Sequence, residues 1–302
     1  MKPSPKILSE PAYQYSLFDE QPREAIVNVS SVPQRSPFRY PGGKTWLVPR
    51  LRRWLLSQPQ PPCEFVEPFA GGGILSLTVA FERLAERVTM VERDPAVAAV
   101  WNTILYGDAE CLARRIVEFS FSESAVAEIL ATEPESTLAY AFQTILRNRV
   151  NHGGILAPGS GKLKAGENGR GMASRWYPQT LANRIIAIGA IASRICFIEG
   201  DGLTILEENA DRYDAVFLLD PPYTAPGKRA GARLYTYSEL DHNALFRLSA
   251  RIQGDFLMTY DNTESVQVLA QEQNFATLAI PMKNTHHAAM TELLIGRDLR
   301  WA

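Results

Sequence analysis

From residue 38 onward, short apolar runs alternate with stretches whose apolar residues recur every three or four positions. Phe65-Val66 is one such run. It leads into Phe69-Ala70-Gly71-Gly72-Gly73 and then into Leu75, Thr78, Val79 and Glu82 at helical spacing. Val88-Thr89-Met90-Val91 reads as a second strand. Asp94-Pro95 is a helix start, with Asp as N-cap and Pro at the first helical position. Val97, Val100, Trp101 and Ile104 then fall at i, i+3, i+4 and i+7, on one face. Strand, glycine turn, helix, strand, helix predicts an α/β fold with a parallel, Rossmann-like sheet. Residues 108–150 read as helices, with Leu138, Phe142, Ile145 and Arg149 along one stripe. A helix is expected over 181–193, strands over 195–198, 215–219 and 256–259, and a helix over 240–252. Two short strands near Leu278 and Leu293 close the sheet. Trp46 and Trp54 read as packing residues of a helix.

Two segments break this pattern. In residues 1–36, Pro3, Pro5, Pro11, Pro22 and Pro33 interrupt any regular element, and a mostly disordered tail is expected. Between Leu146 and Trp176, seven glycines accompany Arg147, Arg149, Lys162, Lys164, Arg170 and Arg175, against the single acid Glu167. This predicts a long, basic, flexible loop without a core of its own, of the kind that usually carries function.

Composition sets outer limits. The 302 residues are 46% hydrophobic and 21% charged, which suits one large domain, or one domain with an insertion. No run approaches the ~20 apolar residues of a membrane helix, and the first residues show no apolar signal-peptide core. Three cysteines without a CxxC pair argue against a disulfide scaffold or zinc site and fit a reducing cytoplasm. His286-His287 lacks neighbouring Cys or acids and reads as a surface pair, so no metal site is expected. With a net charge of −2, nucleic-acid binding would have to come from local patches.

The candidate chemistry lies where strands end. Ligands of an open parallel sheet sit beyond the strands' carboxyl ends. Glu67-Pro68-Phe69-Ala70-Gly71-Gly72-Gly73 has that placement, but it is not the GxGxxG phosphate fingerprint, and no Walker Lys-Ser/Thr follows. Glu92, ending the second strand, is placed for a vicinal diol. Asp201 is placed for the exocyclic amine of an adenine. Together they suggest a nucleoside without a pyrophosphate, although a tight turn with surface acids would read the same way. Asp220-Pro221-Pro222-Tyr223 ends an apolar strand. Its prolines fix φ and remove donors. The Asp220 carboxylate and the stiffly held carbonyls then form acceptors suited to an amino group, and Tyr223 offers a face for stacking on a base.

Phe38-Arg39-Tyr40-Pro41-Gly42-Gly43-Lys44, Glu67-Pro68-Phe69-Ala70-Gly71-Gly72-Gly73 and Asp220-Pro221-Pro222-Tyr223, in that order, resemble the Dam-like, D12-class DNA adenine-N6 methyltransferases. The resemblance spans residues 37 to about 297, and Met290-Thr291-Glu292-Leu293-Leu294-Ile295 is similar to the family's closing strand. It implies an S-adenosylmethionine-dependent catalytic domain, residues 37–107 and 195–302, with an inserted, mostly helical DNA-recognition domain, 108–194. It implies that Tyr40, Lys44 and Glu67 line the cofactor site. Phe69, Gly71 and Gly73 would surround the cofactor's methionine portion, Glu92 its ribose and Asp201 its adenine. Asp220, Pro221, Pro222 and Tyr223 would hold the target base. Many relatives carry Asp where Glu92 stands.

On this reading duplex DNA is the partner. Arg147, Arg149, Asn151, Lys162, Lys164, Arg170 and Arg175 are the candidate DNA-binding residues of the glycine-rich stretch, and Lys228, Arg229 and Arg233 those following the Asp-Pro-Pro-Tyr motif. Gln14-Tyr15-Ser16-Leu17-Phe18 resembles the peptide that binds the bacterial sliding clamp. The expected setting is a cytoplasmic, nucleoid-associated monomer, and a companion restriction endonuclease is a further candidate partner. The competing readings are an N4-cytosine or ribosomal RNA amino-methyltransferase using the same motif, and a catalytically idle DNA-binding regulator.

Overall fold

The computed structural model describes residues 29–302 apart from 41, 165, 167, 168, 170, 223–235, 238 and 284–288. Seven strands form one sheet in the order β3-β2-β1-β4-β5-β7-β6. They are β1 (Glu64–Glu67), β2 (Arg87–Glu92), β3 (Ile195–Glu199), β4 (Ala215–Leu219), β5 (Asp255–Asp261), β6 (Ala276–Lys283) and β7 (Ala289–Gly296). The first five pair in parallel, while β7 runs antiparallel to both β5 and β6. The fold is the expected Rossmann-like α/β sheet. Its closing pair, eight residues per strand, is longer than the sequence pattern suggested.

Strand order reverses between β1 and β4, and open α/β sheets leave a crevice at such a reversal. All five residues of β4 are buried. Alternate β4 side chains serve opposite faces, as strand geometry requires. Val216 and Leu218 join an apolar cluster with Phe65, Met90 and Trp101, and Phe217 and Leu219 join one with Phe246, Phe256 and Met258.

The first cluster is covered by α1 (Val48–Leu56), α2 (Ile74–Glu82) and α3 (Pro95–Leu105). Asp94 caps α3 as expected, accepting from Ala96 N at 2.9 Å, with Pro95 at the first position. Among the described residues, four further α-helices lie between α3 and β3. They are α4 (Ala109–Glu118), α5 (Glu123–Ala131), α6 (Thr137–Val150) and α7 (Pro178–Gly189). Leu112, Ile116, Val126, Phe142, Ile145, Leu181 and Ile185 belong to the same cluster as Trp101 and Phe65, so these helices share the sheet's core. The opposite face carries α8 (Gly202–Glu208), α9 (His242–Arg251) and α10 (Glu264–Glu272).

The glycine-rich stretch departs from the loop expected of it. Ala157 and Leu163 are buried, and Leu156, Met172 and Trp176 pack against the core. The Asn151 amide donates to Ile155 O at 2.7 Å and to Ser160 Oγ at 2.7 Å, and Asn151 pairs with Lys162 in a β-bridge. Gly154 lies at φ +75°, and a Cβ there would stand 2.1 Å from Arg39 O. The glycines thus permit close packing as well as turning. Among the described residues, no helix is long and apolar enough to cross a membrane.

Candidate active site

One cavity of about 1500 Å³ opens at the reversal between β1 and β4. Its lining includes Tyr40, Lys44, Glu67, Phe69, Gly71, Gly73, Glu92, Asp201, Asp220, Pro221 and Pro222, so most of the sequence-derived site residues meet there. Tyr223, Arg170, Lys228, Arg229, Arg233 and the 14–18 peptide lie outside the described residues.

The glycine turn is built around Tyr40. Gly71 and Gly73 take φ +49° and +63°, a region costly for L side chains. A Cβ on Gly71 would stand 2.6 Å from Tyr40 Cε1, and one on Gly72 2.7 Å from Tyr40 Cβ. A Cβ on Gly73 would meet Met90 Cε at 2.5 Å. The sequence reading took these glycines as making way for a ligand. They first make way for the protein's own Tyr40 and Met90. Trp101 Nε1 donates to Gly71 O at 3.0 Å and fixes the turn from behind.

Glu67 is buried beneath that turn, and its Oε2 accepts from both the Ser76 backbone N–H and the Ser76 hydroxyl. Burial pushes its carboxyl up to about 8, against the opposing pull of the Ser76 bonds. Glu92 ends β2, and its Oε1 accepts from Arg93 N at 2.7 Å and Asp94 N at 2.8 Å. The residue keeps some surface at the cavity, yet its carboxyl is packed round by protein, and that burial raises it to about 7.

Asp201 has a structural duty that its placement did not reveal. Its Oδ1 caps α8, accepting from Leu203 N at 2.9 Å and Thr204 N at 3.3 Å, and its Oδ2 pairs with Arg93 at 3.2 Å. Any ligand contact at Asp201 shares a carboxylate already engaged twice.

Asp220 follows β4 and faces Lys44. Lys44 is buried, with Nζ 2.9 Å from Asp220 Oδ1, 3.2 Å from Gly42 O and 3.8 Å from Glu292 Oε2. The Thr259 hydroxyl, on the neighbouring strand β5, donates to the same Asp220 Oδ1 at 2.7 Å. No described residue bonds Oδ2. The carboxylate is therefore fixed through one oxygen while the other remains available as an acceptor. Lys44, read from the sequence as a cofactor contact, lines the cavity and also pairs with Asp220.

Beyond Asp220, Tyr260 Oη lies 2.8 Å from His242 Nδ1. Burial, with Asp220 nearby, raises the Tyr260 phenol, and burial lowers His242. At the mouth, the Thr236 hydroxyl donates to Asp94 Oδ2 at 2.7 Å, and Arg93 lies 5.1 Å from the Tyr237 ring centroid.

The candidate DNA-binding residues divide. Arg149 and Arg175 line the cavity. Arg149 is 4% exposed and donates to Pro37 O. Asn151 is 5% exposed, and its amide donates twice inside its own loop. Arg147 is half-buried and donates to Gln143 at 3.4 Å, whereas Lys162 and Lys164 are exposed outside the cavity lining. Thr259, Glu292, Arg39 and Arg184 also belong to the lining or its support and were not singled out beforehand. Glu292 and Arg39 had a signal, their places in the closing-strand and Phe38-to-Lys44 motifs. Among the described residues, no three His, Cys, Asp or Glu side chains cluster as metal ligands would.

Compared with protein-family models and with curated proteins by sequence, the chain matches none. Among solved structures it is similar to the rRNA methyltransferase AviRa of Streptomyces viridochromogenes, with 15% identity, 90% of this chain and 93% of that one covered, and a TM-score of 0.40. It is also similar to a candidate RNA methyltransferase of Pyrococcus horikoshii, with 11% identity, 84% of each chain covered and a TM-score of 0.38. At such identities and scores the likeness carries no information on substrate or activity.

Proposed function

We propose that this protein is an S-adenosylmethionine-dependent methyltransferase acting on an exocyclic amino group of a nucleic-acid base, with N6 of adenine in duplex DNA as the favoured target. One observation carries the reading. Asp220, held through Oδ1 by Lys44 and Thr259, lines the cavity that also contains the glycine turn, Glu92 and Asp201.

The residues present fit the cofactor. No Walker lysine or pyrophosphate-type glycine loop is present, and the donors and acceptors suit a nucleoside bearing a cationic tail. Glu92 would accept from the ribose hydroxyls, and Phe69 with the glycine turn would flank the tail. The buried Glu67 would lie beneath that tail, and a cation there would favour its ionised form. When bound, S-adenosylmethionine supplies an electrophilic methyl group on sulfur.

The protein's own residues prepare the nucleophile. An adenine N6 lone pair is delocalised into the ring and attacks poorly. Asp220 Oδ2 and the Pro221 carbonyl would accept hydrogen bonds from the two N6 hydrogens and draw the nitrogen toward tetrahedral geometry; N6 would give up one proton to solvent by way of Asp220 as its bond to the methyl carbon replaces that carbon's bond to sulfur. Proximity and fixed acceptors then supply most of the rate. Lys44 and Thr259 keep the carboxylate from turning away. A base within a duplex must first be flipped out, at a cost of a few kcal/mol.

The test is transfer of a labelled methyl group from S-adenosylmethionine to unmodified duplex DNA, with the product nucleoside identified by mass spectrometry. N6-methyladenine is expected, and Asp220→Ala should abolish it while cofactor binding survives. N4-methylcytosine, or product on ribosomal RNA alone, would change the substrate and keep the class. Undiminished turnover by Asp220→Ala would sink the assignment. The Gln14-to-Phe18 peptide is a separate proposal, a tether to the sliding clamp. A pull-down with purified clamp in which wild type and Leu17→Ala/Phe18→Ala behave alike would dismiss it.

A further inference from the structure

Four arginines meet on the wall of the same cavity. Arg39 comes from the segment ahead of Lys44, Arg149 from the last turn of α6, Arg175 from the short helix Gly171–Arg175, and Arg184 from α7. Arg149 is the centre of the group. It is buried, its Nη2 donates to Pro37 O, and its Nε has no acceptor. Burial, together with the charges of Arg184, Arg39 and Arg175, holds its guanidinium down at about 9. Arg184 donates to Ser36 O at 3.0 Å, and burial lowers it as well. Among the described residues, no carboxylate is set against Arg149 or Arg184.

Several cations gathered around a buried donor without an acceptor form a poor arrangement for an empty cavity. An anion with several oxygens would satisfy it, and guanidinium forks match phosphate geometry. Arg39 stands only five residues before Lys44, the partner of Asp220, so at most ~18 Å of chain separates them.

We propose that the Arg39–Arg149–Arg175–Arg184 cluster seats one phosphodiester of the substrate strand, the one attached to the nucleotide whose base reaches Asp220. The inference rests on the proposed function and extends it. The site then selects a nucleotide within a chain, and a free nucleoside lacks the group that the cluster grips.

The experiment uses the full chain with S-adenosylhomocysteine present and titrates deoxyadenosine, deoxyadenosine monophosphate and inorganic phosphate by calorimetry. Deoxyadenosine monophosphate should bind at least ~10-fold more tightly than deoxyadenosine, the effect of a charge-assisted contact. Arg184→Gln should erase that preference and Arg184→Lys restore part of it. Asp220→Ala should weaken both ligands and leave their ratio intact. A duplex carrying one neutral methylphosphonate beside the target adenine should bind wild type about tenfold more weakly than the natural duplex, and Arg184→Gln should not distinguish the two.

Equal affinity of wild type for nucleoside and nucleotide would overturn the proposal. So would a preference unchanged in both Arg184→Gln and Arg39→Gln. A methylphosphonate without effect on wild type would overturn the assignment to a chain phosphate and point to a free nucleotide. Binding of inorganic phosphate that depends on Arg184, with neither nucleoside nor nucleotide bound, would keep the anion seat and defeat the methyltransferase reading instead.

Discussion

Replacing Glu67 by Gln tests the buried carboxyl beneath the glycine turn. Gln keeps an oxygen to accept from Ser76 and discards the ionisable group. In the folded protein burial raises Glu67 from the ordinary 4.5 to about 8, so between those values the folded state binds more protons than the unfolded one. By linkage, stability must then fall as pH rises. The contribution is fully present below about pH 4.5, declines through the neutral range, and is lost once pH passes about 8. At ~1.4 kcal/mol per pH unit, the gap corresponds to a loss on the order of 5 kcal/mol. Urea unfolding followed by tryptophan fluorescence from pH 5 to 9 measures it. Wild type and Glu67→Gln should be nearly equally stable at pH 5. At pH 9 the variant should be more stable by several kcal/mol. Taking the difference between the two proteins cancels other titrations, Glu92 among them. Curves that stay parallel across the range would refute a neutral, buried Glu67.

Three further outcomes follow from the geometry. Gly71→Ala should cost ~1–2 kcal/mol from the left-handed backbone alone and more from the collision with Tyr40. In a double-mutant cycle Tyr40→Ala should recover only the collision, and strictly additive losses would show that the two do not touch. Asp201→Ala removes the α8 cap and should lower unfolding stability by ~1 kcal/mol, measured by denaturant titration; no loss would contradict the capping role. Thr259→Val leaves Lys44 as the remaining described contact to Asp220 Oδ1, and should lower kcat about tenfold, the value of one hydrogen bond to a charged group. A rise in KM for S-adenosylmethionine with kcat unchanged would move Thr259 to the cofactor side.

Much of the sheet was legible because its signals are local. The apolar run at 215–219 became β4 with the same ends, and Asp94-Pro95 began α3 where capping chemistry put it. α8 and α10 escaped notice because both are short and follow caps with weak periodicity behind them. The closing strands read as short because a proline, Pro281, and alternating polar residues dilute the apolar pattern of β6 and β7. The glycine-rich stretch was misread for a different reason. Composition reports that glycines permit turning, but it does not report which backbone they let approach, and at Gly154 that backbone is Arg39.

The site was legible in its ends and obscure in its walls. Asp220, Glu92 and the glycine turn each follow a strand, so position along the chain predicts position in space. Lys44 and Thr259 meet at Asp220, Glu292 meets Lys44, and the pairing of β5 with β4 and β7 brings Thr259 and Glu292 to that place. The same holds for the arginines. Arg149 looked like one of several loop cations, equivalent to Lys162 or Lys164. Its difference arises from tertiary packing: α6 turns it inward, α7 supplies Arg184, and the segment before Lys44 offers Pro37 and Ser36 carbonyls to both. A buried guanidinium and a solvated ammonium have the same formal charge, yet only the first carries a desolvation penalty that a ligand can relieve. Charge counted along the chain therefore cannot tell the buried arginine from the exposed lysines. The proposed phosphate seat is built from the cations that share the cavity with Asp220.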